Sequence, residues 1–133
     1  MYLLDVNVLL AVCMRDHEFH QRTTLWAKMS INQNGDTLAS CALTELGFLR
    51  ILLQSHWYGF SITQGKTLLA ELKNTPKLDW VFLEDRHGAN ELPRWVKGPK
   101  QITDGHLLGL ARAHGGTLAT LDKRIPGALL IPD

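Results

Sequence analysis

Four carboxylates in this 133-residue chain stand where an acid is hard to explain as solvated surface. Asp5 interrupts the apolar run Tyr2-Leu3-Leu4-Asp5-Val6-Asn7-Val8-Leu9-Leu10. Asp122 follows a second apolar run over 117–121, so each of the two acids sits at the carboxyl end of an expected strand. Glu45 has Cys41, Ala42, Phe48, Leu49 and Leu52 at helical spacing, and Asp104 has Leu107, Leu108 and Ala111, which puts both in phase with a buried helical stripe. Ionised carboxylates are seldom buried without a partner, because desolvation is expensive. When grouped they repel one another and raise each other's pKa unless a cation neutralises them. Mg²⁺ takes one or two carboxylates together with waters and substrate phosphate, so the chemistry suggested is metal-assisted hydrolysis of a phosphodiester. Each acid also has a plain structural explanation. Asp5, Asp104 and Asp122 suit helix caps or turns, and Glu45 could pair with an arginine such as Arg50. Those explanations hold more easily one at a time than for all four together.

The elements that must position these acids are legible as an alternation of strands and helices. A run that is apolar without alternation suits a strand buried on both faces of a parallel sheet, and in such sheets ligands bind beyond the carboxyl ends of the strands. After Asp5 the pattern predicts a short helix over 6–14. A second helix is expected from 17 to about 31 with Asp16 as its N-cap, then a turn at 32–36. A strand over 37–40 leads to an apolar helix over 42–53. A further helix starting at Ser61 or Thr63 ends near 74–76. A strand over 78–83 precedes an irregular stretch over 84–96 and the basic loop Lys97-Gly98-Pro99-Lys100. A helix over 103–114 closes at Gly115-Gly116, and strands follow over 117–121 and 129–131. The expectation is one α/β domain over 1–133 with a mainly parallel sheet.

Several blocks resemble a known family. Leu4-Asp5-Val6-Asn7-Val8-Leu9-Leu10, Thr44-Glu45-Leu46, Gln101-Ile102-Thr103-Asp104 and Leu118-Ala119-Thr120-Leu121-Asp122 are similar to the PIN-domain ribonucleases, and within them to the VapC-type toxins of bacterial toxin–antitoxin pairs. The resemblance implies a three-layer fold with a five-stranded parallel sheet flanked by helices, and an endoribonuclease dependent on Mg²⁺ or Mn²⁺. It places the family's acids at Asp5, Glu45, Asp104 and Asp122, with Asn7 and Thr120 at the polar positions that accompany the first and last. It also implies a small DNA-binding antitoxin as partner, and homodimers.

Other signals are weaker. His17-Glu18-Phe19-His20 has one residue too few between Glu18 and the second histidine for a zincin helix, so a polar helix start is expected, with a contact to RNA open. Gly65-Lys66-Thr67 lacks a correctly spaced preceding glycine and a leading strand, which argues against nucleotide binding. The four tryptophans are expected in core or interface. With a net charge of +1, any contact to RNA must be local. Arg94, Lys97 and Lys100, just before Asp104, and Lys123 and Arg124, just after Asp122, are candidates to hold RNA phosphates. Cys13 and Cys41 in apolar surroundings suit reduced thiols in the cytoplasm, and no signal peptide or membrane span is visible. Two competing functions remain. One is a non-catalytic domain binding RNA or protein, which would gain nothing from converging acids. The other is a receiver-like phosphoacceptor, which needs an Asp ending the third strand where this chain has Leu83-Glu84.

Overall fold

A computed structural model describes residues 1–133. Five strands form one sheet: β1 (Tyr2–Leu4), β2 (Thr37–Cys41), β3 (Asp79–Leu83), β4 (Thr117–Thr120) and β5 (Leu129–Leu130). Every pairing is parallel, and the order is β3-β2-β1-β4-β5. Five helices connect and cover them: α1 (Val6–Cys13), α2 (His20–Asn34), α3 (Ala42–Gln54), α4 (Ile62–Lys73) and α5 (Ile102–Ala113).

Side-chain alternation along the strands divides the core in two. Leu4, Leu38 and Ala119 join a cluster with Val8, Trp26, Phe48, Leu52 and Leu69, beneath α1 to α4. Their neighbours Leu3, Ala39 and Leu118 face the other way and pack on Leu107, Leu108, Leu110 and Ala111 of α5. This is a three-layer fold, and both faces of the central strands are dry, as apolar runs without alternation require. Phe48 and the core leucines are fully buried, each worth about 1.5–3 kcal/mol in area removed from water.

The helix ends show what the local sequence does. Ser61 and Gln64 form a reciprocal capping box (Gln64 N to Ser61 Oγ, 3.1 Å; Ser61 N to Gln64 Oε1, 2.8 Å), which starts α4 at the earlier of its two candidate positions. Helix α2 departs from expectation at both ends. Asp16 is not its cap. The imidazole Nδ1 of His17 accepts from Phe19 N at 3.1 Å, and backbone bonds from His17 to Met14 and from His20 to His17 keep this stretch in successive turns. The helix then persists to Asn34, because only Gly35 supplies the left-handed conformation (φ 66°) that returns its N–H to Ile31 and Ser30. The C-terminus is pinned by Arg22, which donates from Nε to the carbonyls of Ile131 and Pro132 at 3.0 Å each and pairs with Asp133 at 2.9 Å.

Strand order reverses between β1 and β4. Chains leaving those two strands turn to opposite faces of the sheet, which opens a crevice at their carboxyl ends. Asp5 directly follows β1, and Asp122 lies two residues past β4.

Candidate active site

Asp5 is both a cap and a member of the crevice. Its Oδ1 accepts from Val6 N at 2.7 Å, starting α1, and its Oδ2 accepts from Thr120 Oγ1 at 2.9 Å. The two readings of this residue are therefore compatible, since a carboxylate has two oxygens. Only 7% of Asp5 is exposed. Burial raises its pKa above the usual carboxylate value and the charge of Asp122 adds to the rise, while the bonds from Thr120 and Val6 oppose it. Thr120 joins the two strand ends: its hydroxyl donates to Asp5 and accepts from Asp122 N at 3.0 Å.

Asp122 is gripped by Arg124. The guanidinium donates from Nε to Oδ1 at 2.9 Å and from Nη2 to Oδ2 at 2.8 Å, and Arg124 N donates to Oδ1 at 2.9 Å. These bonds hold the carboxyl of Asp122 below its ordinary pKa. Asp104, half-buried in the first turn of α5, is shifted the opposite way. Desolvation raises its pKa first, then the charges of Asp5 and Asp122, with Arg124 offsetting part of the effect. Three aspartates from β1, α5 and the end of β4 thus lie close enough to repel one another.

Glu45 is engaged elsewhere. Ser40 Oγ donates to its carboxylate at 2.6 Å, the ammonium of Lys73 from α4 forms an ion pair with it, and Trp80 Nε1 donates to Ser40 Oγ at 3.2 Å. Its cation is Lys73, not Arg50. The repulsion at Asp5 and Asp104 comes from the other aspartates. Sequence gave no sign of Lys73, which reaches Glu45 only because α4 packs along α3.

Two clefts meet at Arg124, one reaching Asp122 and the other Asp104. One, of about 530 Å³, is lined by Asn7, His17, Phe19, Asp122, Lys123 and Arg124. The other, of about 410 Å³, is lined by Trp95, Gly98, Lys100, Gln101, Asp104 and Arg124. Asn7, Lys100, Lys123 and Arg124 therefore border the site, whereas Arg94 and Lys97 line neither cleft. Phe19 belongs to the His17–His20 stretch for which a contact to RNA is open, and it lines the first cleft. Trp95, expected in core or interface, lines the second; its only functional signal in the sequence is its nearness to the basic loop.

No three acid, histidine or cysteine side chains form a ready-made metal cage. The donor set nevertheless fits a hard divalent cation. Asp5 and Asp104 are oxygen donors whose ionised forms are disfavoured by burial and mutual charge, and Mg²⁺ needs only one or two carboxylates beside its waters. A receiver-like site does not fit, because β3 ends at Leu83 and the next residue, Glu84, is exposed.

A 3-2-1-4-5 parallel sheet with aspartates at its reversal point defines a class of acidic-site α/β proteins. Residues 2–128 match the PIN domain, and the chain belongs to that family. It is 37% identical to ribonuclease VapC44 of Mycobacterium tuberculosis (strain ATCC 25618 / H37Rv) over 134 residues, covering 95% of this chain and 92% of the relative. It is 32% identical to ribonuclease VapC29 of the same strain over 136 residues, covering 98% and 96%. Among solved structures it resembles VapBC2 from Rickettsia felis bound to a DNA fragment from its promoter, with a TM-score of 0.55, 17% identity, and 96% and 95% of the two chains covered. That last likeness concerns the fold.

Proposed function

We propose that the protein is a metal-dependent endoribonuclease, the toxin component of a toxin–antitoxin pair, that hydrolyses RNA phosphodiester bonds. The observation that carries this reading is the convergence of Asp5, Asp104 and Asp122 on the crevice where strand order reverses. The VapC ribonucleases, similar over nearly the whole chain, support it.

Asp5 and Asp104 would be the main ligands of Mg²⁺ or Mn²⁺, with Asp122 completing the site directly or through water, and Glu45 would join it, directly or through water, by exchanging Lys73 for the cation. The bound cation would lower the pKa of a water and neutralise charge on the scissile phosphate. The chain's own residues do the rest. Thr120 holds Asp5 and the backbone of Asp122 in fixed relation, so two acids arrive preorganised. Lys100, Lys123 and Arg124 along the clefts hold RNA phosphates, and Asn7 lies at the rim. Arg94 and Lys97, on the loop before Lys100, are outlying phosphate contacts.

An antitoxin partner, a homodimer and a cytoplasmic location belong to the same proposal. Leu46, Leu53, Trp57, Ile62 and Phe82 leave apolar surface exposed around α3 and α4, which supports a protein partner. Both cysteines are free thiols, and no helix is long and apolar enough to cross a membrane.

Purified protein is expected to cleave single-stranded or loop RNA in Mg²⁺ or Mn²⁺ and to stop in excess chelator; cleavage at full rate in chelator would refute the metal-dependent reading. A second expectation concerns Lys100→Ala. It should weaken RNA binding and lower the slope of log affinity against log salt by about 0.7, the value for one phosphate contact on a single strand. The melting shift caused by Mg²⁺ should stay at the parent's value. An unchanged slope would remove Lys100 from the phosphate contacts.

A further inference from the structure

We propose that Arg124 is an internal counter-ion that occupies Asp122 in the metal-free protein and is handed to substrate phosphate when a divalent cation takes the aspartates. The proposal rests on the metal-dependent ribonuclease reading and adds a regulated residue to that site.

Four observations carry it. The guanidinium and backbone of Arg124 use both oxygens of Asp122, and Oδ1 accepts two of these bonds. An oxygen so occupied has little lone-pair density left for a cation, so the guanidinium and a metal compete for Asp122. The arginine side chain is otherwise free: it is 85% exposed, and its only ion pair is the one to Asp122. An exposed ion pair is weak, so release is cheap. Its charge also reaches Asp104, so it offsets part of the repulsion on two of the three aspartates. Finally, Arg124 is the one residue lining both clefts, so a short swing from Asp122 places it in either path along which RNA would lie.

The fork of donors that fits a carboxylate also fits a phosphate. A cation arriving at the aspartates makes the guanidinium redundant there and available to RNA. Metal and RNA should then bind with positive coupling, and linkage requires the effect to be reciprocal.

The test is Arg124→Ala, with Arg50→Ala on the exposed face of α3 as a control for net charge. Mg²⁺ affinity is read by calorimetry without RNA. RNA affinity is read with a hydrolysis-resistant phosphorothioate oligoribonucleotide, in chelator and in Mg²⁺. Arg124→Ala should bind Mg²⁺ about threefold more tightly, the scale of an exposed ion pair. In Mg²⁺ it should bind the oligonucleotide more weakly, with a salt slope lower by about 0.7, and in chelator the loss should be much smaller. Arg124→Lys, which keeps the charge but not the fork, should fall between. Unchanged or weaker Mg²⁺ binding by Arg124→Ala would overturn the competition. Equal loss of RNA affinity in chelator and in Mg²⁺ would show a fixed phosphate contact and overturn the hand-over. A parent protein that binds neither Mg²⁺ nor the oligonucleotide would instead bring down the ribonuclease reading itself.

Discussion

Asp104→Asn is expected to reduce cleavage to background while leaving the metal-free protein at least as stable as the parent. The side chain keeps its size, so packing of Leu107, Leu108 and Ala111 beside it is preserved. What is lost is one negative charge among three that repel. The raised pKa of Asp104 means that its ionised form is disfavoured by folding, first through desolvation and then through Asp5 and Asp122. A carboxyl with a raised folded-state pKa penalises the native state above that pKa, and the penalty disappears as the pH falls through it. In chelator at neutral pH the variant should therefore match or exceed the parent. The half-exposed position screens the gain to under about 1 kcal/mol. The difference between the two proteins should shrink as the medium is acidified through the raised pKa of Asp104, because the parent becomes neutral there. Mg²⁺ should raise the parent's melting temperature more than the variant's, since a ligand stabilises in proportion to its binding. Melts of both proteins with chelator and with Mg²⁺, across pH, read all of this. A metal-free variant that melts well below the parent would make Asp104 a structural cap.

Gly105→Ala should destabilise the protein by about 1–3 kcal/mol, although alanine is the better helix former by about 1 kcal/mol. Gly105 is buried in the first turn of α5, where an added Cβ would overlap Val96 Cγ2 and approach Pro93 Cδ at 3.4 Å. The valine is β-branched and sits on the loop that carries Trp95 and leads to Lys100, so relief requires the loop itself to move. That loop is one wall of the cleft beside Asp104, and RNA affinity should fall with stability. Gly109 supplies the comparison within the same helix. Its added Cβ would meet Glu91 O at 3.7 Å and His87 Nδ1 at 3.8 Å, ordinary contacts, so Gly109→Ala should be neutral or stabilising by up to about 1 kcal/mol. Urea denaturation of the two variants tests the contrast. Equal stabilities would mean that the wall of the cleft is not set by close approach at Gly105.

Much of this protein is decided within short windows of its sequence. Asp5 after Leu3-Leu4, and Asp122 after Leu118-Ala119-Thr120-Leu121, mark two buried strands and the acids beyond their ends, because a strand that is dry on both faces reads as an unbroken apolar run. The Ser61 cap and the Gly115-Gly116 stop are equally local: a side-chain oxygen or a missing Cβ acts on the backbone within a turn. The start of α2 was misplaced because His17 bonds to the backbone of Phe19, a conformation that competes with helix and that residue type does not announce. Periodicity placed Glu45 and Asp104 on the inner stripes of α3 and α5. For Asp104 that stripe leads to the other aspartates, since α5 begins beside the strand ends. For Glu45 it leads to different partners. A helical phase fixes a direction around the axis but not the neighbour met there, and the neighbours are Ser40 and Lys73, the latter brought by a separate helix. The grip of Arg124 on Asp122, the two clefts it joins and the docking of Val96 on Gly105 are likewise tertiary facts. Burial and backbone preference act on a residue through its neighbours in the chain, whereas charge pairing and cleft shape depend on how finished elements pack against one another.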